Sequence, residues 1–340
     1  MGMLVNGSWL NEDDVIVAGA YQRPASPIRA DFAGAVDRLI TEEPGRFLLI
    51  GSLSCPWSHR TLLTRGLKSL QLQVHCAFGP RIQGYALNGG EAWDIPGSGK
   101  TSRHLHEVYT LHDPDFTGRV TVPVLWDKSA QRIISNESTD ILAILDRVEV
   151  PEGPDFTLEP STLAAEIETA NQTIYAGLNN AVYQAGFAET QSAYDTAVTT
   201  VFDTLDALEQ RLATSRYYFG DVLTATDLRI FPTLIRFDAI YAILFKCCLR
   251  RIVDYPNLWG YARDLYRLKG AAETVDFDQM RKASYLADTS DPQPVVAIAP
   301  DADWNGPQSR SELGSTKIAS RSGQMIVVDP QTLQPIADDT

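Results

Sequence analysis

One cysteine of this chain stands where its thiol could react. Cys55 lies in the run Ser54–Arg60 (SCPWSHR), directly after a buried apolar stretch and directly before a helical pattern. Proline is favoured at the first position of a helix, because its missing N–H needs no partner there, and Pro56 follows the cysteine. We therefore predict Cys55 at the N-cap, where free backbone N–H groups and the helix dipole stabilise a thiolate.

The residue three places after Cys55 indicates which thiol chemistry is available. A dithiol redox motif has its second cysteine there, whereas this chain has Ser58. A thiolate attacks another sulfur, so the sequence favours exchange by a single cysteine, with a small thiol as the second reductant. The alternative is a buried structural cysteine, which is our interpretation of Cys76, Cys247 and Cys248.

Two further elements could offer polar groups to a ligand. Pro123 interrupts a strand and removes a ladder donor, which makes sense if the strand edge turns toward a ligand, often with a cis bond. Val122 could then offer its N–H and C=O to a peptide-like ligand. Glu137 and Ser138 follow Asn136 at a helix start, where free N–H groups suit a carboxylate, and Glu137 could pair with an ammonium group. Taken singly, each element also has a purely structural explanation. Pro123 would be a proline on an edge strand, and Asn136–Ser138 would be the capped start of a helix.

The hydrophobic pattern predicts the elements that hold these residues. Strands are predicted over 46–52, 73–78, 119–126 and 132–135, helices over 56–69 and 137–146, and a long loop with short helical pieces over 79–112. This order describes a small α/β domain. Beyond a Pro-rich linker, helices are predicted over 164–180, 193–212, 227–245 and 258–268. Thr224 caps the third of these, with Asp227 reaching back to it.

These elements divide the chain into five parts. We predict an irregular N-terminal arm over 1–45, an α/β domain over 46–147, a linker over 148–160, an all-helical domain over 161–286 and an irregular, partly disordered tail over 287–340.

Composition excludes several kinds of partner. The net charge is −14, and an acidic surface repels phosphate backbones, so nucleic acid is not expected. Four scattered cysteines make no disulfide scaffold, and the start of the chain has no signal-peptide pattern, so we expect a cytoplasmic protein. There is no apolar stretch of 18 residues to span a membrane. The histidines lack a cysteine or carboxylate cluster, so no metal site is expected.

The elements taken in order resemble the glutathione transferase family, and within it the xi class, the glutathionyl-hydroquinone reductases. The residues that carry the resemblance are Ser52–Arg60, Asp115–Asp127, Ser135–Ser138, Asn179–Phe187, Arg236–Tyr241, Phe245–Cys247 and Asp254–Trp259. The resemblance runs from about Tyr21 to Lys282. It implies a thioredoxin-like domain, which corresponds to 46–147, followed by an all-helical domain.

The resemblance also implies an activity and its residues. Cys55 would attack the glutathione sulfur of a glutathionyl-hydroquinone, and a second glutathione would resolve the mixed disulfide. Glutathione would be held by Trp93, Arg119, Val122, Pro123, Glu137 and Ser138, and the ring would be bound by Tyr183 and Tyr241. Family members form homodimers, so a homodimer is expected.

The chain departs from the family pattern in places, and other functions stay open. Ser58 stands where the family usually has Ala, Cys248 where it has Asn, and the customary stretch after the last helix is not visible. The alternatives are a general single-cysteine thioltransferase or dehydroascorbate reductase of the omega-like kind, and a non-catalytic glutathione-binding protein. Conjugation of glutathione is less favoured, because it uses glutathione's own thiolate, usually assisted by a Tyr or Ser hydroxyl, and in that place this chain has a competing nucleophile, Cys55.

Overall fold

The chain folds as a mixed α/β half followed by a helical half. The computed structural model describes residues 2–11, 15–77, 84–150, 155–286 and 295–336. Its strands are β1 (Met3–Val5), β2 (Ser8–Leu10), β3 (Ile16–Val17), β4 (Ala20–Tyr21), β5 (Phe47–Gly51), β6 (Gln73–Cys76), β7 (Trp93–Ile95), β8 (Lys100–Ser102), β9 (Gly118–Arg119), β10 (Val124–Asp127), β11 (Arg132–Ser135), β12 (Thr316–Ala319) and β13 (Met325–Val328). Its α-helices are α1 (Val36–Glu42), α2 (Pro56–Leu67), α3 (Leu105–His112), α4 (Ser138–Arg147), α5 (Ala164–Ile174), α6 (Ala181–Gly186), α7 (Gln191–Leu212), α8 (Ala225–Arg236), α9 (Ala242–Leu244), α10 (Pro256–Tyr266) and α11 (Phe277–Tyr285).

A four-stranded sheet forms the centre of the first half, in the order β11-β10-β5-β6. β10 is antiparallel to β11 and β5, and β6 is parallel to β5. Along β5, Leu48 and Ile50 share a core with α3, whereas Phe47 and Leu49 share one with α2 and α4, since successive strand side chains point to opposite faces. Helices on both faces bury this strand, which explains its unbroken apolar run.

The two halves are joined through α2. Leu63 and Leu67 of this helix belong to the main core of the helical half and line the same small gap as Leu228 and Phe231 of α8. The helix that carries the Cys55 segment is therefore packed between the sheet and the helical half. Of the helices that the structure describes, none has both the length and the apolar character needed to cross a membrane.

The helix predicted to start at Thr224 does so. Thr224 is the N-cap of α8, and the Asp227 carboxylate accepts a hydrogen bond from the Thr224 N–H at 2.8 Å. Leu223 and Leu228, which flank the cap, are both buried. This capping box was visible in the sequence because all its members lie within one turn of the helix start.

Two helices predicted as continuous are each interrupted by a π-helical turn. These turns are Tyr175–Asn179, after α5, and Phe237–Tyr241, after α8. A π turn inserts one residue without removing the apolar period, so the pattern did not indicate it. Such turns are frequent at functional sites, and the second one contains Tyr241.

The arm and the long loop contain more regular structure than the sequence predicts. β1 pairs with β2 and with β9, and β3 pairs with β4. The predicted loop contains α3, which is one short helical piece of the kind predicted there, and the β7–β8 pair, which was not predicted. The predicted strand over 119–126 is two strands, β9 and β10, on either side of the Val122–Pro123 bond. Strands of two or three residues are too short to leave an alternating pattern.

The prediction of an irregular tail is wrong for β12 and β13, which form an antiparallel pair. Ile318 and Val328 of this pair belong to the core of the helical half. Arg321, in the turn between them, donates to the carbonyl oxygens of Asp146 and Val148, both at 2.9 Å. Burial here comes from docking onto other elements, which the local pattern does not encode.

Some of the predicted boundaries cannot be compared with structure. Phe78 at the end of the second predicted strand, residues 151–154 of the linker, and residues 287–294 and 337–340 of the tail lie outside the described residues. The division into five parts therefore stays a prediction.

Candidate active site

Cys55 is the N-cap residue of α2, as predicted. Its backbone is extended (φ −88°, ψ 115°), Pro56 occupies the first helical turn, and Cys55 Sγ accepts a hydrogen bond from the Ser58 N–H at 3.4 Å. The thiol also donates to the Val122 carbonyl oxygen at 3.5 Å. A sulfur that meets a backbone N–H at the positive end of a helix is stabilised as a thiolate. The half-buried side chain faces a cavity, so a ligand can reach it.

The Val122–Pro123 peptide bond lies beside the thiol and is cis, as the sequence indicated. Val122 is buried and lines cavities on both sides of this point. Arg119, at the end of β9, lines both cavities as well. The turn between β9 and β10 thus brings a backbone edge and a guanidinium next to the sulfur.

A cavity of about 520 Å³ lies on one side of the cis bond, a size typical of small-molecule sites. It brings together five of the predicted glutathione-binding residues: Arg119, Val122, Pro123, Glu137 and Ser138. Its lining therefore carries charges of both signs. A ligand that is itself charged at both ends, such as a peptide, fits this distribution.

The start of α4 forms one wall of this larger cavity. Glu137 is the N-cap, and its Oε1 accepts a hydrogen bond from the Thr139 N–H at 3.0 Å. The Ser138 hydroxyl lies 3.4 Å from the same oxygen, to which it donates. This geometry confirms the predicted helix start, and it places a carboxylate and a hydroxyl at the edge of the cavity.

A second, narrower cavity reaches Cys55 from the other side. Its lining includes Tyr183, Tyr241 and Phe245 together with the thiol. The ring centroids of Tyr183 and Tyr241 are 6.0 Å apart, and those of Tyr241 and Phe245 are 5.3 Å apart. These distances are those of rings in direct contact, so the three side chains form one continuous aromatic wall on which a planar ring can pack. The structure thus places both predicted ring-binding tyrosines beside Cys55.

The Tyr241 hydroxyl keeps its proton at neutral pH. Burial raises the pKa of Tyr241 well above its ordinary value, and the neighbouring Tyr183 raises it further, while Arg236 opposes the increase. A protonated phenol donates a hydrogen bond. Tyr241 can therefore stabilise negative charge that develops on a bound ring.

Trp93 is the one predicted site residue that lines neither of these cavities. It lies on β7, where its ring stacks on His75 with the centroids 4.5 Å apart. It also packs against the core that contains α3. Its role in binding glutathione stays a prediction.

Arg23, from the arm, is a site residue that the sequence reasoning missed. Its guanidinium lies over the rings of Trp57 and Tyr183, 4.8 and 4.9 Å from their centroids, and its Nε donates to Asn180 Oδ1 at 3.0 Å. It lines both cavities. No local pattern in the arm could mark it, because Tyr183 and Asn180 are more than 150 residues away along the chain.

Among the residues that the structure describes, no three or more His, Cys, Asp or Glu side chains form a group that could hold a metal ion. His104 and His106 stack on each other at 5.5 Å, and Trp9 stacks on His106 at 4.8 Å. All four cysteines are free.

Two family models match this chain. The one described as the N-terminal domain of glutathione S-transferase matches residues 54–148, and the one described as its C-terminal domain matches residues 191–264.

Two curated relatives are similar over nearly the whole chain. The glutathionyl-hydroquinone reductase YqjG of Escherichia coli (strain K12) is 39% identical over 329 residues, which are 91% of this chain and 98% of the relative. The glutathionyl-hydroquinone reductase PcpF of Sphingobium chlorophenolicum is 38% identical over 314 residues, which are 88% of this chain and 96% of the relative.

Two solved structures are also similar over nearly the whole chain. The glutathione-bound structure of YqjG superposes with a TM-score of 0.76 at 35% identity and covers 91% of this chain and 99% of its own. A xi-class enzyme from Natrialba magadii superposes with a TM-score of 0.79 at 34% identity and covers 92% of this chain and 98% of its own.

Proposed function

This chain belongs to the xi class of the glutathione transferase family, and from this we infer that it is a glutathionyl-hydroquinone reductase with glutathione as co-substrate. The observation that carries the inference is the position of Cys55. A single cysteine at a helix N-terminus faces a cavity walled by aromatic rings, and this cavity shares lining residues with one that carries charges of both signs. Such a site can hold a peptide thiol and a planar ring on either side of one sulfur.

We propose that the larger cavity binds glutathione. The Glu137 carboxylate pairs with the ligand's ammonium group, and Ser138 with the first N–H groups of α4 receives a carboxylate. Arg119 supplies positive charge for the second carboxylate. Val122 and Pro123 lie against the cysteine part of the ligand, because Val122 is the residue whose carbonyl meets the Cys55 thiol.

The reaction consists of two successive sulfur exchanges. The Cys55 thiolate attacks the glutathione sulfur, an S–S bond forms, and the bond between that sulfur and the ring carbon breaks. The electron pair goes to the ring carbon, which takes up a proton and leaves as free hydroquinone. A second glutathione, as its thiolate, then attacks the mixed disulfide, which restores Cys55 and gives oxidised glutathione. The ring is reduced and the two glutathiones are oxidised, so no further reductant is needed.

Tyr183 and Tyr241 assist the first exchange. The leaving atom is a ring carbon, so negative charge spreads through the ring to its phenolic oxygens while the bond breaks. Hydroxyl donors placed at those oxygens stabilise this charge where it develops. The high pKa of the buried Tyr241 keeps its donor available.

The test is release of free hydroquinone from a glutathionyl-hydroquinone, with glutathione as reductant. We expect turnover by the wild type and none by Cys55→Ala. Cys76→Ala is the matched control, since Cys76 is also half-buried but lies on β6, outside both cavities. A folded wild type that binds glutathione and releases no hydroquinone would contradict the proposal.

Turnover rates on other substrates distinguish two other functions from the proposed one. A general single-cysteine thioltransferase or dehydroascorbate reductase would turn over glutathione mixed disulfides or dehydroascorbate faster than the hydroquinone conjugate. A non-catalytic binding protein would bind glutathione and turn over none of these substrates. The aromatic cavity beside Cys55 favours the hydroquinone conjugate, because a mixed disulfide has no need of it.

We further propose a homodimer in the cytoplasm. The dimer is supported by the family to which the chain belongs, and light scattering at micromolar concentration tests it by the molar mass. The cytoplasm is supported by four cysteines that form no disulfide, since disulfides are rare in that reducing compartment.

A further inference from the structure

Arg236 reaches from the helical half to the loop that carries Cys55. It is the last residue of α8, its side chain is 1% exposed, and its guanidinium donates to the carbonyl oxygens of Leu53 at 2.7 Å and Ser54 at 3.3 Å. These are the two residues immediately before Cys55. The guanidinium therefore fixes the path of the backbone into the N-cap of α2.

A neutral histidine holds the other side of the guanidinium. Arg236 Nη1 lies 2.8 Å from His59 Nδ1, and His59 Nε2 lies 2.8 Å from Thr274 Oγ1. Because a guanidinium only donates, Nδ1 must accept and Nε2 must carry the proton. The Thr274 hydroxyl in turn donates to the Ala271 carbonyl oxygen. The donors thus point one way, from Arg236 to His59, from His59 to Thr274 and from Thr274 to Ala271, and Nδ1 of His59 has no place for a second proton.

The positive charge of Arg236 has no carboxylate partner among the residues that the structure describes. Its remaining contact is the Pro232 carbonyl oxygen at 2.9 Å. Burial lowers the pKa of Arg236, and the groups that oppose this are Tyr241, Tyr183 and Cys55. A buried cation without an anion is costly. The guanidinium is held on the two residues immediately before Cys55, so a thiolate at Cys55 is the anion that this position can serve.

We propose that Arg236 is a positioning residue for the nucleophile, which holds the loop at Leu53 and Ser54 and serves as the counterion of the Cys55 thiolate. The proposal rests on the proposed function only for its turnover readout, because the reactivity of the thiolate can be measured without substrate. Other titratable side chains also line or adjoin the cavity at Cys55: Arg23, Arg60, Tyr85, Arg119, Tyr183 and Tyr241.

Arg236 differs from the other arginines in what it touches. Arg60 is also buried, but its guanidinium contacts Asn179 Oδ1 at 3.2 Å and lies over the Trp57 ring. Arg23 contacts aromatic faces and Asn180. Arg236 is the one whose recorded hydrogen bonds, within the described residues, go to the loop before Cys55.

The first experiment measures alkylation of Cys55 by iodoacetamide as a function of pH, followed on the Cys55 peptide by mass spectrometry. We expect Arg236→Met to move the midpoint of the rate profile upward by about one pH unit and to slow the reaction at pH 7 about tenfold. Arg229→Met is the matched control, because Arg229 is a buried arginine seven residues earlier on α8 that pairs with Glu159. A folded Arg236→Met protein with the wild-type profile would overturn the proposal.

Arg236→Lys separates charge from position and keeps the test open if the Met variant does not fold. Lysine keeps the charge but cannot reach Leu53, Ser54 and His59 together. We expect a midpoint near that of the wild type and a kcat for the glutathionyl-hydroquinone lowered about tenfold with little change in KM. Wild-type kcat in Arg236→Lys would overturn the positioning role. Absence of turnover in the wild type would refute the proposed function and leave the alkylation result to decide this proposal.

Discussion

At the scale of residues, the site places a nucleophile and a proton donor side by side. The Cys55 sulfur accepts a hydrogen bond from the Ser58 N–H at the start of α2, and the Arg236 guanidinium is held on the two residues before it. Tyr241, which lines the same cavity, is kept protonated by its burial. Nucleophile and proton donor are therefore two separate groups that line one cavity.

Tyr241→Phe should lower kcat for the glutathionyl-hydroquinone about 10- to 100-fold, because it removes one donor to the developing charge on the ring. KM should change little, since the ring keeps its aromatic wall. Steady-state kinetics at saturating glutathione measure both constants. Tyr261→Phe is the control: its hydroxyl is also buried but donates to Asp227 at 2.7 Å, and Tyr261 lines neither cavity. An unchanged kcat in Tyr241→Phe would remove the tyrosine from the mechanism.

His59 should make the free energy of unfolding fall as the pH falls below about 6.5. Burial and then the Arg236 charge lower its pKa well below the ordinary value of 6.5, so near that pH the unfolded chain binds a proton that the folded chain does not. The stabilisation is therefore complete above pH 6.5 and is lost as pH falls below it, by about 1.4 kcal/mol per pH unit.

Urea unfolding of wild type and His59→Gln between about pH 7.5 and pH 5 measures this effect. Glutamine does not titrate, so the variant should lose less stability on acidification than the wild type by that slope. The other histidines are present in both proteins and cancel in the comparison. Identical losses in the two proteins would show that His59 is not held neutral.

At the scale of elements, three backbone turns converge on the thiol: the loop from β5 to α2, the cis turn between β9 and β10, and the start of α4. The helical half adds residues in and after its two π-helical turns, which are Tyr241 in one and Tyr183 beyond the other. The site is thus built where regular structure ends.

The β12–β13 pair makes a prediction about stability. Ile318 is 3% exposed and belongs to the main core, so Ile318→Ala should lower the free energy of unfolding by about 2–4 kcal/mol. Met325, on the paired strand, is 38% exposed, and Met325→Ala should cost less than about 0.5 kcal/mol. Chemical denaturation measures the free energy of unfolding of both variants and of the wild type. Equal and small effects would mean that this part of the tail is not docked.

Local signals account for what the sequence predicted correctly. A helix start is indicated within one turn in two places, by Pro56 after Cys55 and by Thr224 with Asp227. The apolar run of β5 indicates a strand. The roles of Arg23 and Arg236 were missed because their partners lie more than 150 residues away. The docked hairpin was missed for the same reason, since its burial depends on surfaces elsewhere in the fold.

At the scale of the whole molecule, the site belongs to both halves. The α/β half supplies Cys55, the cis turn and the start of α4, and the helical half supplies Tyr183, Tyr241 and Arg236. Because α2 shares a core with α8, the two halves cannot separate without exposing that core. Substrate binding and folding are therefore coupled through one interface.

Glutathione should stabilise the folded chain as a whole. A ligand that binds the folded state alone adds about 2.7 kcal/mol at 100 times its Kd. We expect glutathione to raise the Tm of the wild type and of Cys55→Ala, and to raise that of Glu137→Ala much less. Thermal unfolding with and without glutathione measures these changes in Tm. Glu149→Ala is the control, an exposed carboxylate just after α4 that lines neither cavity. A full shift in Glu137→Ala would exclude Glu137 from the binding site.

A single turnover without free glutathione tests most directly whether Cys55 is the nucleophile. The wild type is mixed with one equivalent of a glutathionyl-hydroquinone, free hydroquinone is quantified, and the protein is mapped by mass spectrometry. We expect one hydroquinone released per chain, one glutathione in disulfide linkage on Cys55, and its release as oxidised glutathione when glutathione is added. Hydroquinone released with no adduct on Cys55, or released equally by Cys55→Ser, would contradict it.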